Sequence, residues 1–481
     1  MSKFYLTTAI PYVNAKPHVG HALEFVQADV VKRFRQILGD ETLLLSGGDE
    51  NAIKNVQAAE KEGIPVQDFI DKNSKLFEEL ARKLNIQFDM FQKGSSKDHH
   101  AASQKLWDLC AHDIYKKTYT GLYCTGCELF YEPSELNENG ECFEHPGKPL
   151  EEVSEENYFF KLSKYEKQIR ELIEKDELLI IPSFRKNEVL GFLKEGLKDI
   201  SISRSNKRAK NWGVPVPGDN VQRMYVWFDA LNIYQSGVGF GTDEKKYNKW
   251  WPADLHIIGK GIIRFHAVYW PAFLLSAGLK LPKSLFVHGY FTVDGQKMSK
   301  TLGNVTDPLD LIKKYGADAL RYYLLSQISP FQDGDFSEKK LIDVYNSDLA
   351  NGLGNLVSRV AKLCENGNFK QPPLANHKHS FTYGEDYKKA LGEYRFNDAL
   401  SLTWDKLTRL DKYINEEKPW ELLKEPRSKN KDLNAILSHC VDQIQEIAVL
   451  LEPFMPETSE KIKKQFEGTQ IKSDAPLFPR I

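Results

Sequence analysis

The sequence lacks any hydrophobic run near the ~20 residues that a membrane-spanning helix needs. Its most apolar stretch, around Tyr269 to Leu281, is interrupted by Pro271 and Gly278. The opening segment MSKFYLTTAIPYV has no long apolar core and no small-residue cleavage site, which favours a first β-strand over a signal peptide. We therefore expect a cytoplasmic protein with no membrane role.

An excess of positive charge is also lacking. The 65 lysines and arginines are balanced by 67 acidic residues, so a nucleic-acid partner would have to bind local basic surface. Internal repeats and low-complexity tails are absent, and 41% of the 481 residues are hydrophobic. A chain of this length exceeds one ordinary core, which predicts two or three packed domains.

Cysteine is scarce and unevenly placed. The six cysteines do not form the framework of a disulfide-rich secreted protein. Three of them cluster as Cys124-x2-Cys127 and Cys142-x2-His145, a spacing that suits a tetrahedral Cys3His zinc site. Three unrelated thiols are the alternative. Because four protein ligands leave no open position, we expect one structural zinc ion per chain, without a catalytic role.

The amino-terminal part has the pattern of an α/β fold. Lys3 to Ala9 predicts a strand, apolar residues three and four apart from Leu23 to Ile37 predict a helix, and Glu41 to Ser46 predicts a second strand. This order is a β-α-β unit of a parallel sheet. Ligands of such sheets bind beyond the carboxyl ends of the strands, here the loops that carry Pro17 to His21 and Asp49.

The alternation of helix and strand breaks down between about Lys117 and Pro217 and resumes at 256–260 and 284–293. We therefore expect a sheet that is split by an insertion. Beyond about Ser337 the strand signal is weak, and apolar residues recur at steps of three and four, which predicts an all-helical carboxyl-terminal third.

Two short motifs are candidates for binding phosphate. His18, Gly20 and His21 lie in PHVGH, where the predicted first strand turns into a helix whose amino end favours anions. The polar loop DGQKMSKTLGN carries Lys297 and Lys300, which suit the pyrophosphate end of ATP. Taken singly, the motifs are equally compatible with capping histidines and a solvated charge cluster.

Together, in this order and separation, the two motifs resemble the paired nucleotide-binding motifs of the class I aminoacyl-tRNA synthetases. The stretches TTAIPYVNAKPHVGHALEF, NYFFKLSKY, ISISR, YVWFDALNIY and HIIGKGIIRFHAVYWPA resemble the methionyl-tRNA synthetase family, of the bacterial type with a single zinc knuckle. The resemblance covers nearly the whole chain. It implies activation of L-methionine with ATP to methionyl-adenylate, release of pyrophosphate, and transfer of methionine to the 3′-terminal adenosine of tRNA(Met).

The resemblance also implies the architecture, a Rossmann-like α/β catalytic domain with a zinc-knuckle insertion, followed by an all-α bundle. We place the catalytic domain at 1–116 and 219–290, the insertion at 117–218, a linking subdomain with the KMSKT loop at 291–340 and the anticodon-binding domain at 341–481. The sequence ends soon after the bundle without an appended tRNA-binding barrel, so we expect a monomer.

For ATP, the resemblance implies a set of residues from both motifs: His18, Gly20, His21, Glu24, Lys297, Met298, Ser299 and Lys300. The two histidines and two lysines are expected to act in catalysis as electrostatic stabilisers, together with the Mg²⁺ that accompanies ATP.

Methionine, a long thioether, calls for an apolar aromatic site with one carboxylate for the ammonium group. By resemblance, Asp49 holds the ammonium group and the side-chain pocket is lined by Ile10, Tyr12, Trp227, Ala230, Tyr234, Ile262, His266 and Trp270. Spacing alone would favour core positions for the two tryptophans. Asn355, Arg359 and Trp420 are implied in anticodon binding, although spacing alone favours an ordinary surface pair and a packed tryptophan.

Three residues depart from the family pattern. Asp49-Glu50 continue as Asn51-Ala52 where the family usually has His-Gly, and Gly261 stands where it usually has an aspartate expected to contact the adenosine ribose. Reduced ATP affinity is the expected consequence, with Glu24 as a remaining candidate contact.

Rival functions differ from this interpretation in specific features. Isoleucyl, valyl and leucyl enzymes carry a large editing insertion, for which 117–218 is too short. A cysteinyl enzyme would hold zinc in its amino acid pocket, whereas the candidate zinc ligands of this chain cluster inside the insertion. A tRNA-binding paralogue without catalysis is supported only by Asn51, Ala52 and Gly261, and the retained histidines and lysines of the two motifs argue against it.

Overall fold

The computed structural model describes residues 2–124, 129–131, 133–142, 147–297, 305–370, 383–424 and 431–481. The chain forms two compact units. The first comprises Met1–Pro17, Leu38–Ala81 and Gln87–Tyr290, and the second comprises His18–Ile37, Arg82–Ile86 and Phe291–Ile481. No helix in the described ranges is long and apolar enough to cross a membrane.

The strands, in chain order, are β1 Lys3–Thr7, β2 Glu41–Gly48, β3 Met90–Lys93, β4 Ile114–Cys124, β5 Leu129–Tyr131, β6 Glu151–Phe160, β7 Leu179–Ile181, β8 Ile200–Ser201, β9 Ser203–Ser205, β10 Pro215–Val216, β11 Asp219–Met224, β12 Leu255–Gly259, β13 Ser284–His288, β14 Phe291–Val293, β15 Gln296–Lys297 and β16 Gly334–Phe336.

The α-helices are α1 Val19–Ile37, α2 Ile53–Glu62, α3 Val66–Lys83, α4 Lys97–Cys110, α5 Glu166–Glu174, α6 Ser183–Lys194, α7 Asn206–Ala209, α8 Val226–Leu231, α9 Ile233–Ser236, α10 Glu244–Trp250, α11 Trp270–Ser276, α12 Pro308–Tyr315, α13 Ala317–Ser326, α14 Glu338–Val344, α15 Asn355–Asn366, α16 Glu385–Gly392, α17 Phe396–Glu417, α18 Pro419–Leu422, α19 Lys431–Leu451 and α20 Pro456–Phe466. Two π-helical segments, Phe265–Tyr269 and Tyr345–Gly354, lead directly into α11 and α15.

A parallel sheet forms the centre of the first unit. Its order is β3-β2-β1-β12-β13-β7, and every neighbouring pair runs parallel. Leu6 of β1 pairs with Leu44 of β2 and Leu255 of β12, and all three side chains are fully buried. Continuous apolar strands of this kind form where helices cover both faces of a sheet. The predicted α/β fold with a parallel sheet is confirmed.

The segment predicted as an insertion contributes one strand to this sheet. Leu179–Ile181 pairs with β13, with Ile181 opposite Phe286. The same segment also forms separate antiparallel sheets. In one of these, β4 and β6 pair along their length from Ile114 opposite Phe160 to Tyr123 opposite Glu151.

A buried ion pair organises the second unit. Asp29 of α1 and Arg321 of α13 are both fully buried and lie 2.7 Å apart. Arg321 also donates to the carbonyl oxygens of Pro453 and Phe454, 2.8 and 2.7 Å away. A buried charge is tolerated when it is paired and hydrogen-bonded, as this one is. The contacts hold α1, whose amino end carries the histidine motif, against the turn before α20.

The carboxyl-terminal region is helical, as predicted. The α13 helix packs against α1 and α17, and α19 packs against α15, α17 and α20. Leu353, Leu356 and Val360 of the predicted apolar stripe are buried. They fill the core of the bundle, which explains why their spacing follows the helical period.

The second motif begins on a tight hairpin. Strands β14 and β15 are joined by Asp294 and Gly295, which both have positive φ, 48° and 75°. Two-residue hairpin turns with both central φ values positive favour Asp-Gly, so the local sequence explains the turn. Lys297 lies on β15 opposite Thr292, and its side chain is outside the described residues, as are Met298, Ser299 and Lys300.

Candidate active site

The loops that follow β1 and β2 meet at the carboxyl edge of the first unit's sheet. Tyr12 and Asp49 form a parallel bridge, and the amide of Asp49 donates to the carbonyl of Pro11 at 2.8 Å. Asn55 fixes the same loop by donating to the carbonyl of Asp49 at 2.9 Å. The carboxylate of Asp49 is thus buried at the edge where parallel sheets bind ligands.

An aromatic cup, consisting of Tyr12, Trp227, Tyr234, Phe265 and His266, lies in the same unit. Trp227 meets the rings of Tyr12 and His266 edge-on, each with a centroid distance of 6.4 Å. Trp227 also stacks flat on Phe265 at 3.7 Å. The structure therefore brings together four of the predicted pocket residues and adds Phe265.

The hydrogen bonds of His266 define its tautomer. Its Nδ1 lies 2.9 Å from the carbonyl oxygen of Ile262, which can only accept, so Nδ1 carries the proton. Its Nε2 then accepts from the hydroxyl of Tyr234 at 2.8 Å. Burial lowers the pKa of His266 to about 4. The ring is consequently a neutral wall of the cup at physiological pH.

The other predicted pocket residues do not belong to the aromatic cup. Ile10 is half-buried and packs on the first unit's core, and Ala230 is buried on α8. Trp270 is fully buried and packs edge-on against Trp251 at 6.0 Å. Within the described part of the chain, its indole nitrogen has no hydrogen-bond partner. Trp270 thus combines a core position with one unsatisfied donor.

Sequence reasoning missed His256 and Phe265. The ring of His256 lies 4.4 Å from that of Tyr234, and its Nδ1 is 2.7 Å from the hydroxyl of Thr7. Both missed residues occur inside the motif that carries Ile262 and His266, so their neighbourhood was the available signal. Phe265 begins the π-helical segment that aims it at Trp227, a geometry that a 3.6-residue period does not reveal.

Asn51, one of the departures from the family pattern, has a defined position. Its side-chain nitrogen donates to Asp229 of α8 and to the carbonyl of Gly94, both at 2.7 Å. Asp229 is buried and is also bonded to His99 and Ser103. Asn51 therefore ties the loop after β2 to the helix that carries Trp227 and Ala230.

The second departure, Gly261, faces Tyr290. A Cβ atom added at Gly261 would lie 2.2 Å from the hydroxyl oxygen of Tyr290. The ammonium of Lys260 lies over the same ring, 4.5 Å from its centroid. Tyr290 thus occupies the space into which an aspartate at position 261 would extend.

The histidine motif lies in the second unit, at the start of α1. The rings of His18 and His21 are 3.9 Å apart. The amide of Gly20 donates to Nδ1 of His18, and the amide of His18 donates to Nδ1 of His21, both at 3.1 Å. Accepting at Nδ1 puts the proton of each neutral ring on Nε2. Glu24, one turn further along α1, is half-buried.

Burial keeps both rings neutral. It lowers the pKa of His18 to about 4, and burial together with the repulsion that a protonated His18 would exert lowers the pKa of His21 well below its usual range. The amide of Val19 donates to the carbonyl of Thr306, 3.2 Å away, just beyond the second motif. Within the second unit, the start of α1 therefore contacts the residue that lies two positions after the second motif.

The structure describes two of the four predicted zinc ligands. Cys124 ends β4 and Cys142 follows the β5 hairpin, and both are buried. The thiol of Cys142 donates to the hydroxyl of Tyr131 at 3.4 Å. Cys127 and His145 lie outside the described residues. Among the described residues, no group of three or more His, Cys, Asp or Glu side chains is placed to hold a metal ion.

The predicted anticodon residues lie on the helical bundle. Arg359 of α15 donates to Asp411 at 2.9 Å and to Asn415 at 2.6 Å, and its guanidinium lies 5.0 Å from the ring centroid of Trp420. Asn355 is exposed one turn earlier on α15. Arg359 and Trp420 thus form one partly exposed cation–aromatic pair.

Family models match almost the whole chain. Residues 4–361 match the model described as tRNA synthetases class I (M), and residues 382–480 match the anticodon-binding domain of tRNA ligase. With the parallel sheet, the paired motifs and the helical bundle, these matches define a class I aminoacyl-tRNA synthetase.

Relatives make the assignment more specific. The methionine–tRNA ligase of Rhizobium meliloti (strain 1021) is 40% identical over 100% of this chain and 98% of its own length. That of Nostoc sp. is 42% identical over 96% and 89%. The structure of the Mycobacterium tuberculosis methionyl-tRNA synthetase in complex with methionyl-adenylate matches with a TM-score of 0.91 and 36% identity over 100% of both chains. The chain belongs to the methionyl-tRNA synthetase family.

Proposed function

We propose that the chain is a methionine–tRNA ligase that activates L-methionine with ATP and transfers it to tRNA(Met). The observation that carries this proposal is the full-length family match, combined with an aromatic cup beside a buried carboxylate in the first unit. ATP, methionine and tRNA(Met) are its substrates.

The cup suits the methionine side chain. A thioether is apolar and polarisable, and it gains from contact with aromatic rings. His266 is kept neutral by burial and is held in place by Ile262 and Tyr234, so the cup presents no charge that would favour a polar competitor. Asp49 supplies the carboxylate for the ammonium group, and Ile10, Ala230 and Trp270 complete the apolar surround.

In the activation step, the methionine carboxylate attacks the α-phosphorus of ATP in line and expels pyrophosphate. Such a reaction needs positioning and charge neutralisation more than covalent help. The Nε2–H groups of His18 and His21 donate to phosphate oxygens, and Lys297 and Lys300 neutralise charge. The remaining ATP contacts are assigned to Gly20, Glu24, Met298 and Ser299. Mg²⁺ enters as part of the ATP substrate.

In the transfer step, a hydroxyl of the terminal ribose of tRNA attacks the carbonyl of the adenylate and AMP leaves. The 2′-OH is the nucleophile expected for class I. Asn355, Arg359 and Trp420 bind the anticodon, since a guanidinium beside an aromatic ring can both stack on and hydrogen-bond to a base.

A structural zinc ion is proposed for the knuckle. Cys124, Cys127, Cys142 and His145 would hold it, and the burial of the two described thiols fits ligands that are shielded from solvent. The ion would crosslink a segment with little apolar core of its own. Cys142→Ser should release zinc and lower the melting temperature, whereas an unchanged melting temperature would contradict a structural role.

We propose the five-part division at 1–116, 117–218, 219–290, 291–340 and 341–481, a monomeric state and a cytoplasmic location. Sedimentation as a dimer would overturn the proposed monomeric state.

Methionine-dependent ATP–pyrophosphate exchange tests the activation step. The purified chain should exchange label with methionine and not with any other amino acid supplied singly. Exchange with a different amino acid, or none from folded protein, would refute the proposed substrate.

A further inference from the structure

A buried histidine that the proposed mechanism does not use joins two helices of the first unit. His99 lies in the first turn of α4 and is fully buried. Its Nε2 is hydrogen-bonded to the carboxylate of Asp229 on α8. Its Nδ1 lies 2.8 Å from the hydroxyl of Ser236 on α9. A single imidazole therefore links α4 to both α8 and α9.

The two helices that His99 joins both contribute to the aromatic cup. Trp227 lies two residues before Asp229 on α8, and Tyr234 lies two residues before Ser236 on α9. Successive residues of a helix are rotated by about 100°, so residues two positions apart point to nearly opposite sides. Asp229 and Ser236 face His99, while Trp227 and Tyr234 contact the other rings of the cup. His99 thus acts on the cup through the backbone of the two helices.

The carboxylate of Asp229 extends the link to the loop that carries Asp49. One of its oxygens accepts from His99 and from the hydroxyl of Ser103, the latter at 3.2 Å. The other oxygen accepts from the side-chain nitrogen of Asn51 at 2.7 Å, two residues after Asp49. A buried carboxylate is tolerated only with such partners, so the three elements are held together by one charge.

The bonding pattern shows why an imidazole suits position 99. A carboxylate only accepts hydrogen bonds, so Nε2 of His99 carries a proton. Nδ1 is matched by the hydroxyl of Ser236, which can donate or accept. A glutamine at this position would place its amide nitrogen near the site of Nε2 and keep the bond to Asp229, but it would lose the bond to Ser236.

The link sets a distance that the substrate must span. Asp49 is the proposed partner of the ammonium group of methionine, and Trp227 and Tyr234 belong to the cup proposed for its thioether. An apolar pocket distinguishes two amino acids that differ by one methylene by only about 10- to 200-fold. A shift of either ring relative to Asp49 by the length of one bond would therefore erase most of the discrimination by side-chain length.

We propose that His99 is a positioning residue for the selection of methionine: together with Asp229, it holds α8 and α9 at the spacing from Asp49 that fits the length of methionine. The proposal rests on the proposed function, because it presupposes methionine as the substrate. Loss of the link should change which amino acid is bound more than how fast a bound amino acid reacts.

Equilibrium binding of methionine and of ethionine, which is longer by one methylene, tests the proposal on the full chain without ATP. The first variant is Ser236→Ala, which removes the partner of Nδ1 and leaves the imidazole in place. Because one hydrogen bond is lost, methionine binding should weaken about threefold to tenfold. Ethionine binding should weaken less, so that the preference for methionine falls about threefold.

Substitutions of His99 itself should give a graded result. His99→Gln keeps the bond to Asp229 and should match Ser236→Ala. His99→Leu also leaves Asp229 with one donor fewer, so it should lower both the preference for methionine and the melting temperature further. The Ser236→Ala result decides the proposal whether or not His99→Leu folds.

Ser276→Ala is the matched control. Ser276 and Ser236 are both 6% exposed, and the hydroxyl of Ser276 also bonds to a buried residue, Asp113, at 3.0 Å. Ser276 lies on α11, and its partner directly precedes β4. Ser276→Ala should therefore lower the melting temperature by a similar amount and leave the preference for methionine over ethionine unchanged.

Two results would overturn the proposal. One is a lower melting temperature for Ser236→Ala with both Kd values unchanged, which would reduce the link to a structural role. The other is equal weakening of methionine and ethionine, which would exclude selection by length. Absence of methionine binding by the folded, unmodified chain would instead refute the proposed function, and the proposal with it.

Discussion

The histidines of the two units are neutral for the same reason and have different uses. His266 of the cup is neutral because it is buried, and both its ring nitrogens are engaged inside the protein, with Ile262 and Tyr234. His18 and His21 are also neutral through burial, but backbone amides fill Nδ1, which places the proton on Nε2. A ring locked on both sides forms a wall, whereas a ring locked on one side presents a donor.

The largest expected effect concerns the histidines that present an Nε2–H donor. His21→Ala should lower kcat for pyrophosphate exchange about 10²–10³-fold, because a group that acts mainly on the transition state is lost. The KM for methionine should change less than about threefold. Steady-state kinetics measure both. The control is His112→Ala, which removes an exposed histidine and should alter neither kcat nor KM. If His21→Ala instead raises KM by as large a factor as it lowers kcat, His21 also contributes to ground-state binding.

The pH dependence of stability tests the neutrality of these rings. The folded-state pKa of His18 and of His266 is about 4, below the ordinary value of 6.5. Between these values the unfolded chain binds protons that the folded chain excludes, so stability falls as pH falls from 6.5 to 4. Above pH 6.5 neither state is protonated and the effect vanishes.

Denaturation midpoints at several pH values measure this slope. His266→Gln should reduce it by about 1.4 kcal/mol per pH unit, the contribution of one proton. His112→Gln, at an exposed position, is the matched control. A slope unchanged by His266→Gln would mean that His266 is protonated in the folded chain.

His266 forms a wall of the cup, so His266→Ala should act mainly on the binding of methionine. It removes the partner of Tyr234 and of the Ile262 carbonyl, and a buried polar group left unpaired costs about 1–3 kcal/mol. The KM for methionine should rise about tenfold to a hundredfold, with a smaller change in kcat. Tyr234→Phe, which removes only the hydroxyl, should have a weaker effect in the same direction. A pure loss of kcat would abolish the distinction between wall and donor.

The smallest effect concerns Gly261. Restoring the family's aspartate would push its Cβ against the hydroxyl of Tyr290. Because the tip of a partly exposed side chain can move, Gly261→Asp should cost about 1 kcal/mol of stability and should not lower the KM for ATP. Adding Tyr290→Ala should recover the stability. If Gly261→Asp alone lowers the KM for ATP, the side chain of Tyr290 does not keep an aspartate at this position from reaching the nucleotide.

Much of the fold follows from periodicity. The predicted strand from Lys3, the helix ending at Ile37 and the strand from Glu41 agree closely with β1, α1 and β2, because each is long and strongly patterned. The strand β7 was not predicted. Its three residues carry little local signal, and pairing with β13 decides its structure.

The candidate site was likewise predictable only in part. Tyr12, Trp227, Tyr234 and His266 were predicted from resemblance to motifs, and the structure brings them together. Their hydrogen-bond partners could not be predicted, because tautomers depend on atoms contributed by different elements. The pairing of Gly261 with Tyr290, 29 positions later in the sequence, likewise depends on tertiary contact.

Charging of tRNA(Met) with labelled methionine by the purified chain tests the central claim most directly. The account predicts ATP-dependent formation of methionyl-tRNA that requires an intact 3′-terminal adenosine. Methionyl-adenylate formation without any transfer to tRNA(Met), from folded protein, would contradict it.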